Sequence, residues 1–398
     1  MRILQIDKFL DFESPSAGGV GRYISVLSGQ LRNRGHEVEH FGTVQDAANG
    51  EFPQFYDYKK SHNPFALFRM IREKSAAKSL QNWLAGKKFD IAHLHNIYHH
   101  LTPAILPVLK RANIPAVLTL HDYRLACPTR HFYRKDGLCT RCLGGKFYHA
   151  ISRKCAGLKG IPLAIETTYQ QVTKSYSKNI SSFICPTEFM KSIFEQNKFP
   201  TEKLKVVRNI VAPIKSEELV ETNKNILYVG RLSYEKGSDL LVDIADRLPD
   251  SKIIIAGDGP EYRKLSSKIA SDKLTNVELL GHVAADEIAK LYRRANIIVV
   301  PSRCMENSPA SLLEAMQAGR IVIAPDQPEI KEWIVEGKTG FLFKTGDQAD
   351  LLRACKKAID SQSSGAIATA ARQKVLEMND LQDHIEQIID IYQKATCQ

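Results

Sequence analysis

Short apolar runs alternate with longer stretches of helical period along this chain. Residues 3–6, 38–41, 91–95, 116–121 and 183–186 read as buried strands in the first half. Residues 226–230, 252–257, 277–281, 297–301, 321–324 and 340–343 do the same in the second. Helical patterns lie between most of them. Strands alternating with helices specify parallel sheets, because each parallel connection has to cross a sheet face. The series restarts near residue 225, after an extended, proline-containing segment at 206–218 that reads as a linker. The expected fold is α/β, with two Rossmann-like doubly wound domains facing across a cleft. They span residues 1–208 and 209–378, and a final helix within 379–398 crosses back to the first.

Composition adds limits. The 398 residues suffice for two domains, and their apolar and charged fractions are those of a globular protein. No apolar run reaches about 18 residues, so no spanning helix is expected. The first residues enter a strand pattern directly, without the form of a signal peptide, which points to the cytoplasm. The net charge of +11 is uneven: residues 1–215 hold 32 Lys and Arg against 16 Asp and Glu, residues 216–398 hold 23 against 28. A basic first half suits an anionic partner such as a phospholipid surface, a pyrophosphate-linked acceptor or nucleic acid.

The candidate chemistry sits at strand ends. Glu306 and Glu314 stand eight residues apart, the first in the loop after strand 297–301, the second on the following helix. Ser308 followed by Pro309 reads as a cap and a first helical position. Backbone N–H groups at such a start bind anions, and flanking carboxylates can hold hydroxyls at both ends of a sugar–diphosphate–ribose ligand. Strand 226–230 leads into a loop with Arg231 and Lys236, placed to neutralise a diphosphate, since ligands of open α/β sheets bind beyond the carboxyl ends of strands. Gly257, Asp258 and Gly259 form a glycine turn after the next strand, where backbone can approach a flat ring or ribose. Gly281 and Val283 end a third.

Together these segments, GRLSYEKG (230–237), GDGP (257–260), GHV (281–283) and ENSPASLLEA (306–315), resemble those of retaining glycosyltransferases of family 4, which have the GT-B fold. The likeness extends over nearly the whole chain. It implies a hexosyltransferase-like enzyme that moves a sugar from a nucleotide-diphosphate sugar donor to a saccharide or a polyprenyl-pyrophosphate-linked saccharide, as in bacterial surface polysaccharide assembly. Arg231 and Lys236 would bind the diphosphate, Glu314 the ribose, and Val283 the base through its backbone. Glu306 would touch the transferred sugar, helped by amides at Asn307 and Ser308. In the first domain, Gly18 and Gly19 would face the donor, and His121 would bind or orient the sugar. Asp122 would shape the same corner, while Arg22, His95 and Asn96 are acceptor candidates. Domain closure would trap the donor and exclude water. Transfer needs no cofactor under this resemblance. Departures are Asn307 in place of a glycine, Asn209-Ile210 in place of Asn-Gly, and a short turn at 325–328.

Cys127, Cys139, Cys142 and Cys155 are separated by eleven, two and twelve residues. They fit either a structural zinc or four reduced thiols shaping a loop at 127–155. Residues 64–83 mix Phe65, Leu67, Phe68, Met70 and Ile71 with Arg and Lys, suiting either a bilayer surface on the inner face of the plasma membrane or a packed helix. Two rival functions stand beside the transferase. A nucleotide-sugar epimerase of GT-B fold would need no acceptor. A non-catalytic nucleic-acid-binding protein would fit the charge but leave the donor-type loops without a purpose.

Overall fold

The computed structural model describes residues 1–9, 18–43, 71–134, 136–158, 160–211, 223–362 and 364–397. The chain divides into two compact units. The first holds Met1–His131, Thr140–Ile210 and Leu381–Gln398; the second holds Phe132–Cys139 and Val211–Asp380. From sequence, the whole segment 127–155 belongs with the first domain. The structure instead groups Phe132–Cys139 with the second. The expected linker at 206–218 falls mostly outside the described residues.

The first unit is built on a parallel sheet of β1 (Arg2–Phe9), β2 (Glu37–Thr43), β3 (Ile91–Leu94), β4 (Ala116–Thr119), β8 (Ser182–Cys185) and β9 (Leu204–Val206), in the order β2-β1-β3-β4-β8-β9. Between β4 and β8 the chain forms a small hairpin, β5 (Tyr133–Arg134) and β6 (Gly137–Leu138), and a short strand β7 (Cys155–Leu158). The helix Gly18–Asn33 covers one face through Tyr23, Ile24, Leu27 and Leu31. The helix Leu381–Thr396 joins it there, burying Ile385, Ile388, Ile391 and Tyr392 in the same apolar cluster as Ile3, Ile91 and Val117.

The second unit carries β10 (Ile226–Val229), β11 (Ile253–Ala256), β12 (Val277–Gly281), β13 (Ile297–Val299), β14 (Ile321–Pro325) and β15 (Phe341–Phe343). They form a parallel sheet in the order β12-β11-β10-β13-β14-β15. Successive side chains of a strand point to opposite faces. Ile226, Ile253, Ile255, Ile297 and Ile321 therefore enter one buried cluster, while Leu227, Ile254, Ile298 and Val322 enter another. Both faces are covered, which is why these strands read as unbroken apolar runs. The strand order reverses direction between β10 and β13. Such a switch point leaves a crevice at the carboxyl ends of its two strands.

Candidate active site

The loops that follow β10 and β13 meet at that crevice. The Lys236 ammonium donates to Glu306 Oε1 at 2.6 Å. The Ser302 hydroxyl donates to the same oxygen. Burial pulls the Lys236 ammonium down, but the adjoining Glu306 carboxylate more than offsets it, so the group is held in its charged form. Backbone contacts fix this meeting. The Arg303 amide donates to the Glu235 carbonyl at 2.9 Å. Gly237 turns the chain between the Lys236 turn and the helix Ser238–Asp243 with φ +74°, and a Cβ there would lie 2.0 Å from the Pro301 carbonyl oxygen. Gly257 is under the same constraint: a Cβ would fall 1.8 Å from the Gly230 carbonyl oxygen. These glycines let one loop lie against the next, rather than simply leaving room for a ligand.

Four residues that support this site escape a reading by motif. Glu329, on the short helix Pro328–Lys331 after β14, is 1% exposed, and its Oε1 accepts the Glu306 backbone amide at 3.0 Å. Its other oxygen is buried without a hydrogen-bond partner. Burial pushes this carboxyl up to about 8. Arg303 forms a fork with Asp239 at 2.6 and 2.7 Å, and its guanidinium lies 4.4 Å from the centre of the Tyr234 ring. Tyr133, from the hairpin, packs against Tyr234 with ring centres 6.3 Å apart. Tyr292 donates its hydroxyl to Glu314 Oε2 at 2.8 Å, setting that carboxylate's direction.

The predicted helix start shifts. The helix is Ala310–Gln317, Pro309 takes the cap position with extended backbone, and Ser308 makes no cap bond. With the helix beginning at Ala310, Ser308 stands one residue before the cap position, and its hydroxyl is buried without a hydrogen-bond partner. Asn307 stands beside it. Arg231 is exposed at the end of β10, while Val283 is half-buried after β12. Asp258 is exposed, and its Oδ1 accepts the Gly259 amide at 2.7 Å.

The first unit gathers a separate set of residues at the ends of β3 and β4. His121 Nε2 lies 2.9 Å from His95 Nδ1, and His95 Nε2 lies 2.8 Å from Gln5 Oε1. Gln5 turns its Nε2 to the Tyr392 hydroxyl at 3.5 Å. Gln5 Oε1 can only accept, so His95 carries its proton on Nε2 and accepts from His121 with Nδ1. His121 is therefore the donor at Nε2 and keeps Nδ1 as a lone pair. Burial, then the charge of Lys8, pull the His121 imidazole down to about 3, so it is neutral. His95 is 0% exposed and lies beneath His121. The Asn96 amide donates to Asp7 Oδ1, and Asp122 Oδ1 accepts the Arg124 amide. Arg22 is exposed on the helix that Gly18 begins, with Gly19 next to it.

Among the described residues no group of three or more His, Cys, Asp or Glu side chains is placed to hold an ion. Cys142 and Cys155 pack with Phe147, Ala150 and Ala164, whereas Cys139 is grouped with the second unit. Cys142 and Cys155 thus share one apolar cluster, of which Cys127 and Cys139 are not part. Residues 64–70 lie outside the described residues. The adjoining helix Lys74–Trp83 is packed, with Ala76 and Leu80 buried and Trp83 stacked on Phe89 at 5.7 Å. Among the described residues no helix is long and apolar enough to cross a membrane.

Two family models divide the chain between them: Glycosyltransferase Family 4 over residues 17–213 and Glycosyl transferases group 1 over residues 212–374. The chain belongs to glycosyltransferase family 4. This glycosyltransferase is 33% identical over 153 residues to the sulfoquinovosyl transferase SQD2 of Arabidopsis thaliana, a match over 37% of the chain and 29% of that relative. It is 24% identical to the alpha-monoglucosyldiacylglycerol synthase of Streptococcus pneumoniae, over 85% of the chain and 75% of that enzyme. Its fold matches the crystal structure of Anabaena HepE in complex with UDP-glucose, with a TM-score of 0.65 and 18% identity, over 99% of the chain and 100% of HepE. The architecture is GT-B: two α/β units, each on a parallel sheet.

Proposed function

We propose that this glycosyltransferase retains anomeric configuration and moves a sugar from a nucleotide-diphosphate sugar to a saccharide or lipid-linked saccharide. The setting would be surface polysaccharide assembly in the cytoplasm, at the inner face of the membrane. The observation that carries the reading is the Lys236–Glu306 pair at the switch point of the second sheet. The diphosphate is assigned to Lys236, Arg231 and the backbone near Asn307 and Ser308, where positive charge would stabilise its departure. Glu314, oriented by Tyr292, takes the ribose hydroxyls. Val283 and the turn Gly257, Asp258 and Gly259 flank the base and ribose. His121 offers its Nδ1 lone pair to a sugar hydroxyl, and Gly18, Gly19, Arg22, Asn96 and Asp122 complete the first unit's share, with His95 behind.

In this mechanism the acceptor oxygen bonds to the anomeric carbon on the face the diphosphate leaves. The leaving phosphate oxygen takes the hydroxyl proton. Glu306 is already engaged by Lys236 and Ser302, which suits holding the sugar better than covalent attack. The complex of HepE with UDP-glucose makes uridine diphosphate sugars the first donors to try.

The test is a thermal-shift panel of nucleotide sugars, followed by transfer assays with the best donor and nuclear magnetic resonance of the new anomeric centre. A donor-specific shift, lost in Lys236→Ala, with an axial product from an axial donor, is expected. Unchanged binding and turnover in both Lys236→Ala and Glu306→Ala would remove the site, and an inverted product would remove the mechanism.

A further inference from the structure

The helix Gly160–Val172 is turned inside out. Its buried face carries Glu166, Thr167 and Gln170 beside Gly160 and Ala164. Glu166 pairs there with Arg124, and Gln170 Nε2 donates to the Ile71 carbonyl at 3.0 Å. Its outer face carries Ile161, Ile165, Tyr169 and Val172, which are 41, 42, 41 and 75% exposed. Steps of four, four and three residues keep these side chains on one stripe of a helix. An ordinary surface helix hides such a stripe and wets its polar face. Here the hydrogen-bonding side chains are used up inside, and the apolar stripe is left against water, where it gains nothing.

The neighbouring helix Tyr148–Ser152 enlarges this surface. It packs on Gly160–Val172 through Phe147, Ala150 and Ala164 and leaves Tyr148 61% and Ile151 40% exposed. Ten large apolar side chains are exposed among the described residues, and six of them fall between residues 148 and 172. Such concentration marks an interaction surface rather than scattered exposure.

Charge selects the partner. Residues 141–178 contain seven Lys and Arg and one acidic residue, Glu166, which is buried against Arg124. Arg141, Lys146, Lys154, Lys174 and Lys178 are exposed, on the segments that flank these two helices in sequence. A two-fold contact with a second copy would bring these cations against themselves, which opposes self-association. A layer with negative headgroups above acyl chains complements both features.

We propose that the face made by Gly160–Val172 and Tyr148–Ser152 docks on an anionic lipid bilayer. Ile161, Ile165, Tyr169 and Val172 sit at the acyl boundary, and the flanking lysines meet the lipid phosphates. The inference deepens the proposed function, since it brings the enzyme to a lipid-linked acceptor, and in that purpose it rests on that reading.

The experiment is co-sedimentation of the full chain with vesicles of phosphatidylcholine alone and of phosphatidylcholine mixed with phosphatidylglycerol. Wild type is expected to bind the mixed vesicles and leave the neutral ones, and to let go at high salt. Ile165→Asp/Val172→Asp and Lys146→Glu/Lys178→Glu should each lower binding to mixed vesicles by roughly tenfold or more. All four positions are surface sites, so melting temperature and the nucleotide-sugar thermal shift should match wild type. Wild type that ignores both vesicles, binds them equally, or is matched by either variant would overturn the proposal. So would a dimeric wild type made monomeric by Ile165→Asp/Val172→Asp without any vesicle binding, which would give the stripe to a second copy. The thermal-shift arm fails only if the transferase reading fails, so the two are separable.

Discussion

Two glutamates of opposite character meet at residue 306. The Glu306 carboxylate is matched by a cation, while its backbone amide is held by Glu329, a carboxyl that burial pushes up to about 8. Replacing Glu306 by Gln removes the charge that holds Lys236. Diphosphate binding should then hold or tighten while turnover falls by roughly 10²-fold, a split read by calorimetry against transfer kinetics. Glu329 calls for a different pair of variants. Glu329→Gln keeps a carbonyl for the Glu306 amide, whereas Glu329→Leu leaves that buried amide unpaired, at about 1–3 kcal/mol. The leucine variant should therefore lose roughly tenfold in kcat with donor KM little changed, and the glutamine variant should recover most of it. The sign of the pH effect follows from the raised value. Between the ordinary 4.5 and about 8 the unfolded chain is ionised and the folded one is not, so Glu329 costs stability increasingly as pH rises. Melting curves of Glu329→Gln should gain on wild type across that window; parallel curves would show that Glu329 is not protonated in the fold.

At the scale of elements, the long strands were legible because both of their faces are buried. Runs such as Ile253–Ala256 leave no polar position to blur the pattern. β9 and the hairpin were not legible: β9 breaks its apolar residues with Lys205 and the hairpin strands are two residues each, so neither shows the unbroken apolar run that marks β13. The donor-type loops were legible as motifs, but their supports were not. Glu329 reaches the site from a position whose neighbours in sequence say nothing about it, and Arg303, three residues before Glu306, is tied in by Asp239 and Tyr234, which its own loop does not reveal. The cysteines are the reverse case: spacing is local, whereas a ligand set is made by tertiary structure. The helix Gly160–Val172 adds a subtler case. Its apolar stripe is plain in the sequence, but periodicity cannot say which side is covered. The turn at Gly237 offers a test of how the loops are held. Gly237→Ala adds strain at positive φ and a clash with Pro301, and should cost about 1–3 kcal/mol by denaturant unfolding, with weaker donor binding. An alanine variant as stable as wild type would mean that the two loops are free to part.

For the molecule as a whole, histidines set the acid limit. His93, His95, His121 and His384 are held below the ordinary 6.5 by burial, His384 to about 4 and His121 to about 3. The unfolded chain takes up protons first, so stability is complete above about 6.5 and is lost as pH falls toward those folded values. Each histidine contributes up to about 1.4 kcal/mol per pH unit in that window. Melting temperature should fall steeply between neutrality and about pH 5; a flat profile would mean the cluster is already charged in the fold. Three of the four belong to the first 131 residues and the fourth to the helix Leu381–Thr396, where the hydroxyl of Tyr23 lies 3.1 Å from His384 Nε2 and that of Tyr392 lies 2.6 Å from His93 Nδ1. That helix carries a consequence for biosynthesis. A ribosome releases residues in order, so the sheet of the first unit emerges early with one apolar face covered only in part, by the helix Gly18–Asn33, and the rest of its cover follows only after some 170 residues of another fold. The unit that is begun first is closed last, and until then its histidines, Ile3 and Ile91 are in the care of solvent or chaperone.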